Sequence, residues 1–416
     1  MITKKEKIRI QDLGKRIVQE AVSDRQTERI TRYKSINSLH PVKPPIAIYP
    51  PPQAMAGLIP ESDLQTNDPL MRELESRFLQ HLIEAEHWQT DHPVTDVFYT
   101  GLFFHVTDWM PEHKTVRMKS DLTSSAFEPC IKSYSDLEKL IQPQLIVDHR
   151  ATQERFAQVY DVLGDILELH PGTPFGMTCG WGESMIDQLA EMRGLEQLYY
   201  DMIDAPDFVH EAMRKMTEGK LNLLKQYESE GVLSLNNGGQ LIGSCSYPFS
   251  DELPGKDYDC DHITPKNLWA FSHAQEFTGV SQEMLEEFVL PYQAQITDQF
   301  GLCSYGCCEP IDKQVDTIAK YIKNLRIISI SPFCDYEMVA SNHRGKYVMA
   351  CKLHPEFLIN YDPQRLENHI KQIMEKTQGC CVTLNFAELT YYDGNSNVYR
   401  QAAEVIHNAV EKHWQS

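Results

Sequence analysis

From Val94 onward the chain alternates short apolar runs with longer segments of helical periodicity. That alternation leaves few architectures open. A strand covered on both faces is apolar on both, so it reads as a continuous run rather than as alternating residues. A helix between two such runs carries the chain back over the sheet, so the next strand lies parallel to the last. The runs are Asp96–Phe104, Pro174–Gly180, Val232–Asn236, Leu302–Gly306, Leu325–Ser331, Lys346–Cys351 and Cys381–Phe386. With room for another strand near residues 116–130, they predict a (β/α)8 barrel over 94–416; an open doubly wound sheet is the alternative. Helices are expected between the runs, including one over 266–300 with a break near Gly279.

Residues 1–93 read as an N-terminal helical extension. A charged amphipathic segment over residues 3–34 carries a loose stripe of Ile8, Leu13, Ile17, Ala21 and Ile30. The proline-rich Pro41–Pro52 cannot be regular helix, and Ile46–Tyr49 adds at most an edge strand. A second helix follows from Asp68 to about Trp88. Such an extension serves as a docking element or builds a homodimer.

The formal net charge of -20 argues against nucleic acid or an anionic membrane as partner, because phosphate contacts need clustered Lys and Arg. No apolar run approaches the length needed to span a bilayer. Eleven cysteines without regular spacing, behind a charged N-terminus that lacks a signal-type apolar core, fit a reducing cytoplasm better than a disulfide framework. No G-x-x-x-x-G-K or G-x-G-x-x-G occurs, so nucleotide binding has no support.

Chemistry concentrates in Gly301-Leu-Cys-Ser-Tyr-Gly-Cys-Cys-Glu-Pro310. Leu302–Gly306 is a short buried strand, so Cys307, Cys308 and Glu309 fall where it opens into a loop, and strand ends of this kind are where parallel α/β proteins place their sites. Two thiols beside a carboxylate suit zinc better than calcium or magnesium. Alternation along the strand sends Cys307 and Glu309 to one face and Cys308 to the other, unless the backbone turns after Gly306. The plain alternative is that these cysteines are small core residues. The long segment Gly238–Pro265 is a candidate lid, whose acidic residues lack EF-hand spacing and read as a solvated loop.

Three stretches, Val280–Tyr292, Phe300–Pro310 and Lys352-Leu-His-Pro-Glu-Phe-Leu358, give the chain a resemblance to the uroporphyrinogen decarboxylase superfamily over roughly residues 95–416. The resemblance implies a (β/α)8 barrel with one of two chemistries: metal-free decarboxylation, or zinc-dependent methyl transfer involving thiols and corrinoid proteins. The arginine-rich N-terminal stretch of the decarboxylases is absent. The methyltransferases carry a His-x-Cys pair at this strand end, where the present chain has Tyr305-Gly306-Cys307, and a later Cys whose place falls near Glu388.

On that resemblance the expected activity is that of a corrinoid-dependent O-demethylase. Cys307, Cys308, Glu388 and Glu276 are the candidate zinc ligands. Tyr305 or Lys352 protonates the leaving group, and Asn236 with Asn237 orients a small methoxylated or N-methylated donor. The corrinoid belongs to a separate protein, since no D-x-H-x-x-G motif is present. A metal-free decarboxylase or lyase, or a non-catalytic small-molecule-binding barrel, are the alternatives kept open by the missing histidine.

Overall fold

The computed structural model describes residues 2–110, 114–117, 125–175, 184–243, 246–387, 389 and 394–415. Its centre is a parallel six-stranded sheet built from β1 (Ile46–Ile48), β2 (Trp269–Ser272), β3 (Leu302–Tyr305), β4 (Leu325–Ile330), β5 (Val348–Lys352) and β6 (Cys381–Phe386), in the spatial order β1-β6-β5-β4-β3-β2. Every neighbouring pair is parallel. Strands β3, β5 and β6 are buried at every residue, as sheet strands covered on both faces must be, and this accounts for their unbroken apolar character.

Helices return the chain between these strands. Pro363–Lys376, between β5 and β6, turns Leu366, Ile370, Ile373 and Met374 inward at helical spacing and is N-capped by Asp362. The last helix, Asn397–His413, packs beside it. The N-terminal region supplies Lys4–Ala21, Asp24–Asn37 and Pro69–Glu86. The first two divide the expected continuous helix at Ser23, whose hydroxyl caps the second. The extension also contributes β1, an edge strand as the proline-rich stretch implied, in register with β6.

Three expectations are corrected. Trp269–Ser272 is a strand of the sheet, not part of a helix over 266–300; an apolar stretch this short has no periodicity of its own, and the flanking helical pattern masks it. The region near 116–130 contains the strands Lys114–Arg117 and Ser125–Glu128, but they form an antiparallel pair apart from the sheet. The run Asp96–Phe104 is broken at Gly101, where φ is +112°, into Val97–Tyr99 and Phe104–Val106. Most of Pro174–Gly180 lies outside the described residues.

Among the described residues the sheet does not close on itself. Beside β2 runs the segment Val232–Asn236, which forms no ladder with it. Instead the Asn236 side chain accepts from the Trp269 N–H (2.9 Å) and donates to the Trp269 carbonyl (2.9 Å), while the Ser234 carbonyl accepts from Phe175 N–H (3.2 Å). At the other edge, Asp91 N–H donates to Ile46 O (2.7 Å) and Ile46 N–H donates to Asp91 Oδ2 (2.8 Å). Among the described residues no helix is long and apolar enough to cross a membrane.

Candidate functional site

The carboxyl ends of β2, β3 and β5 bring chemistry together. β3 ends at Tyr305, and Gly306 then takes φ +96°. A side chain there would strain the backbone and press on Ile311 and Ser329. This left-handed turn breaks strict strand alternation, so Cys307 and Cys308 lie with their sulfurs 3.9 Å apart instead of on opposite faces. Lys352, the last residue of β5 and only 4% exposed, reaches across with Nζ 3.9 Å from Cys307 Sγ and 3.8 Å from Cys308 Sγ.

The loop is fixed by Glu309. Its buried carboxylate accepts from Cys307 N–H (2.8 Å) and from Ala274 N–H (3.1 Å), tying the end of β3 to the turn after β2. The Ser329 hydroxyl donates to the Cys307 carbonyl (2.9 Å). Charge-assisted bonds of this kind are strong when buried, so the cysteine turn is held firmly.

A second group adjoins it. His273, one residue beyond β2, places Nδ1 3.1 Å from Asp187 Oδ2. Asp187 also accepts from the N–H groups of Gln275 (3.1 Å) and Glu276 (3.0 Å). Burial lowers the His273 pKa, but the hydrogen bond and charge of Asp187, with the charges of Glu309 and Cys307, outweigh it and raise the pKa overall. Glu191 stands one turn from Asp187 on the helix Met185–Arg193. Burial, then the charges of Asp187 and Glu276, push it up to about 7.

Of the expected site residues, Cys307, Cys308 and Lys352 converge. Tyr305 is buried, its hydroxyl donating to Gln293 Oε1 (3.2 Å); burial and then Glu309, Asp187 and Cys303 raise its pKa well above the ordinary range, so it remains a phenol. Glu276 is exposed and sides with Asp187 and Glu191. Asn236 bonds the backbone at Trp269, where β2 begins; Trp269 is level with Leu302, five residues before Cys307 and so about 16 Å along the strand direction. Asn237 donates to Leu253 O (2.7 Å). Glu388 lies outside the described residues. No group of three His, Cys, Asp or Glu donors within 4.8 Å of one another includes either cysteine among the described residues.

His273, Asp187 and Glu191 were missed by the sequence reading. With β2 hidden inside an expected helix, His273 did not register as a strand-end residue. The i, i+4 carboxylates on Met185–Arg193 were the available sign of a crowded acidic face.

A cavity lies elsewhere. About 710 Å³ in volume, it is walled by the helix Pro69–Glu86, the strand Val97–Tyr99, the segment from Gly231 to Gln240 and the loop around Tyr258, with His81, Asn237 and His170 on its lining. Neither Lys352 nor the two cysteines border it.

No family profile matches the chain, and no curated protein matches it. Among solved structures it is similar to a methyltransferase from Methanosarcina mazei, with a TM-score of 0.50 and 10% identity over 92% of this chain and 98% of that one. At that identity the likeness is one of fold. It extends across almost the whole length of both chains.

Proposed function

We propose that this chain is a zinc-dependent methyltransferase that takes a methyl group from a small methoxylated or N-methylated compound and passes it to a corrinoid protein. The observation that carries the reading is the pair of sulfurs 3.9 Å apart at the end of β3, with a buried lysine beside both. Two thiolates bound to one tetrahedral zinc at about 2.3 Å stand roughly 3.8 Å apart, so the spacing fits that ion. The structural neighbour named as a methyltransferase agrees with the coarse class. The proposal includes barrel closure: Val232–Asn236 and the chain around Phe175 continue outward from β2, and Asp91 continues from β1. The superfamily resemblance seen in the sequence points to the same architecture.

In this reading Cys307 and Cys308 hold the zinc, and Glu388, two residues past β6, supplies an oxygen donor. Glu276 is exposed on the acidic cluster and is less well placed than the two cysteines. When bound, the zinc would act as a Lewis acid on the ether oxygen or methylated nitrogen. Lys352 lies where it can hand a proton to the departing atom, a role that passes to it because the Tyr305 hydroxyl is spent on Gln293. Glu309 keeps the cysteine turn rigid. The His273–Asp187 pair and Glu191, all beside the end of β2 and with the His273 and Glu191 pKa values raised, are the groups that could exchange protons with the site. The asparagine amides are engaged by backbone, so substrate orientation would come from other groups at the strand ends.

Elemental analysis of wild type and Cys307→Ala tests the reading. Zinc content should fall by about one per chain in the variant. Equal content in the two proteins would overturn the cysteine site. Demethylation of methoxylated aromatics with a corrinoid protein then tests the reaction.

A further inference from the structure

We propose that His81, Glu84 and His92 form a second site for a zinc-type divalent ion, built from elements that do not contribute to the cysteine site. His81 and Glu84 stand on the helix Pro69–Glu86, three residues apart and therefore on one face. The chain then turns back to present His92. His92 Nε2 lies 2.9 Å from Glu84 Oε2 and 3.4 Å from His81 Nδ1, and His81 Nδ1 is 4.0 Å from Glu84 Oε2. Donors bound to one tetrahedral zinc at 2.0–2.1 Å stand about 3.3 Å apart, and the three observed separations bracket that value.

The surroundings are those of a ligand set. A metal-binding imidazole normally has its second nitrogen fixed by another group, which orients the ring. His92 Nδ1 lies 2.6 Å from the hydroxyl of Tyr247, itself buried. The His92 carbonyl accepts from Arg29 (3.3 Å) and Gln26 (3.5 Å), and Gln26 Oε1 accepts from Val94 N–H (3.0 Å), so the loop cannot swing away freely.

The donor set also fits: two imidazoles and one carboxylate are ligands that a zinc-type divalent ion takes. Arg29 and Arg77 are nearby cations that would oppose one; Arg29 faces Asp91 (3.7 Å), and Arg77 is offset in its turn. The Arg77 guanidinium lies over the Phe98 ring (4.4 Å) and faces Glu73 (3.8 Å), which offsets its charge.

Three protein donors leave a fourth position open. His81 lines the 710 Å³ cavity, which gives the ion a route in and the open position access to water or a small ligand.

The test uses full-length protein with the first site removed by Cys307→Ser and Cys308→Ser, stripped with chelator and titrated with zinc alone against a chromophoric competitor. About one equivalent should bind, and X-ray absorption of the loaded protein should give a nitrogen and oxygen shell with imidazole scattering and no sulfur. Adding His81→Gln or Glu84→Gln should abolish that equivalent, and Tyr247→Phe should weaken it roughly 10- to 100-fold. Zinc-free melting curves report whether each variant folds. Failure of the Cys307→Ser, Cys308→Ser protein to bind zinc, retention of the equivalent in both ligand variants, or an absorption spectrum without imidazole would overturn the site and leave a hydrogen-bonded cluster. The outcome does not depend on whether Cys307 and Cys308 bind metal, because both are replaced.

Discussion

The ammonium of Lys352 lies 3.9 Å from the sulfur of Cys307 and 3.8 Å from that of Cys308, although Lys352 leaves the sheet at the end of β5 and the cysteines at the end of β3. A buried cation favours thiolate over thiol, and thiolate is the form that binds metal or attacks an electrophile. At this separation a unit charge pair is worth about 4 kcal/mol at an effective dielectric of 20, before desolvation is subtracted. Replacing Lys352 by Met should therefore slow alkylation of Cys307 by iodoacetamide in metal-free protein at pH 7 about tenfold. Peptide mass spectrometry reads the rate at each cysteine; an unchanged rate would show that the ammonium does not act on the thiols.

Gly306 is the second point of control. At φ +96° an added Cβ is strained in its own backbone and would meet Ile311 Cδ1 and Ser329 Cβ, each at 3.2 Å. Gly306→Ala should lose about 1–3 kcal/mol in urea unfolding. A loss within error would mean that the turn can relax without cost.

The His273–Asp187 pair should make stability depend on pH. His273 has a raised folded pKa, so its contribution is full below the ordinary value of 6.5 and is lost as pH rises through the folded value. Asp187→Asn should cost about 1–3 kcal/mol at pH 5.5, and the cost should shrink at pH 8.5. Urea midpoints of both proteins at the two pH values decide it; a cost that grows with pH contradicts the pairing.

Glu191 should show the opposite kind of variant. Its carboxyl is raised from 4.5 to about 7, so the folded state holds its proton more tightly than the unfolded chain, and ionisation between those values destabilises the fold. Glu191→Gln should stabilise the protein by about 1–3 kcal/mol at pH 8, a range reduced for partial exposure, and by little at pH 4.5. Equal effects at both pH values would place the gain outside the charge.

The sequence by itself determined the strands β3 to β6, their parallel arrangement and the chain positions at which they end, because a doubly covered strand must be apolar on both faces and that is written locally. It therefore put Cys307, Cys308 and Lys352 at the carboxyl ends of strands before any contact was known. Tertiary structure decided the rest. β2 was lost in the helical pattern around it, and His273 with it, because four residues carry too little periodicity to be told apart. Asn236 looked like a substrate ligand but supports the backbone at Trp269, a role created only by the neighbouring segment. The left-handed turn at Gly306 brought both sulfurs to one lysine where alternation had separated them. His81, Glu84 and His92 gave no recognised spacing, since their convergence depends on how one loop returns to its helix under Tyr247. Periodicity reports what each segment must bury; it contains no distance between side chains of separate segments, and that distance is what builds a site.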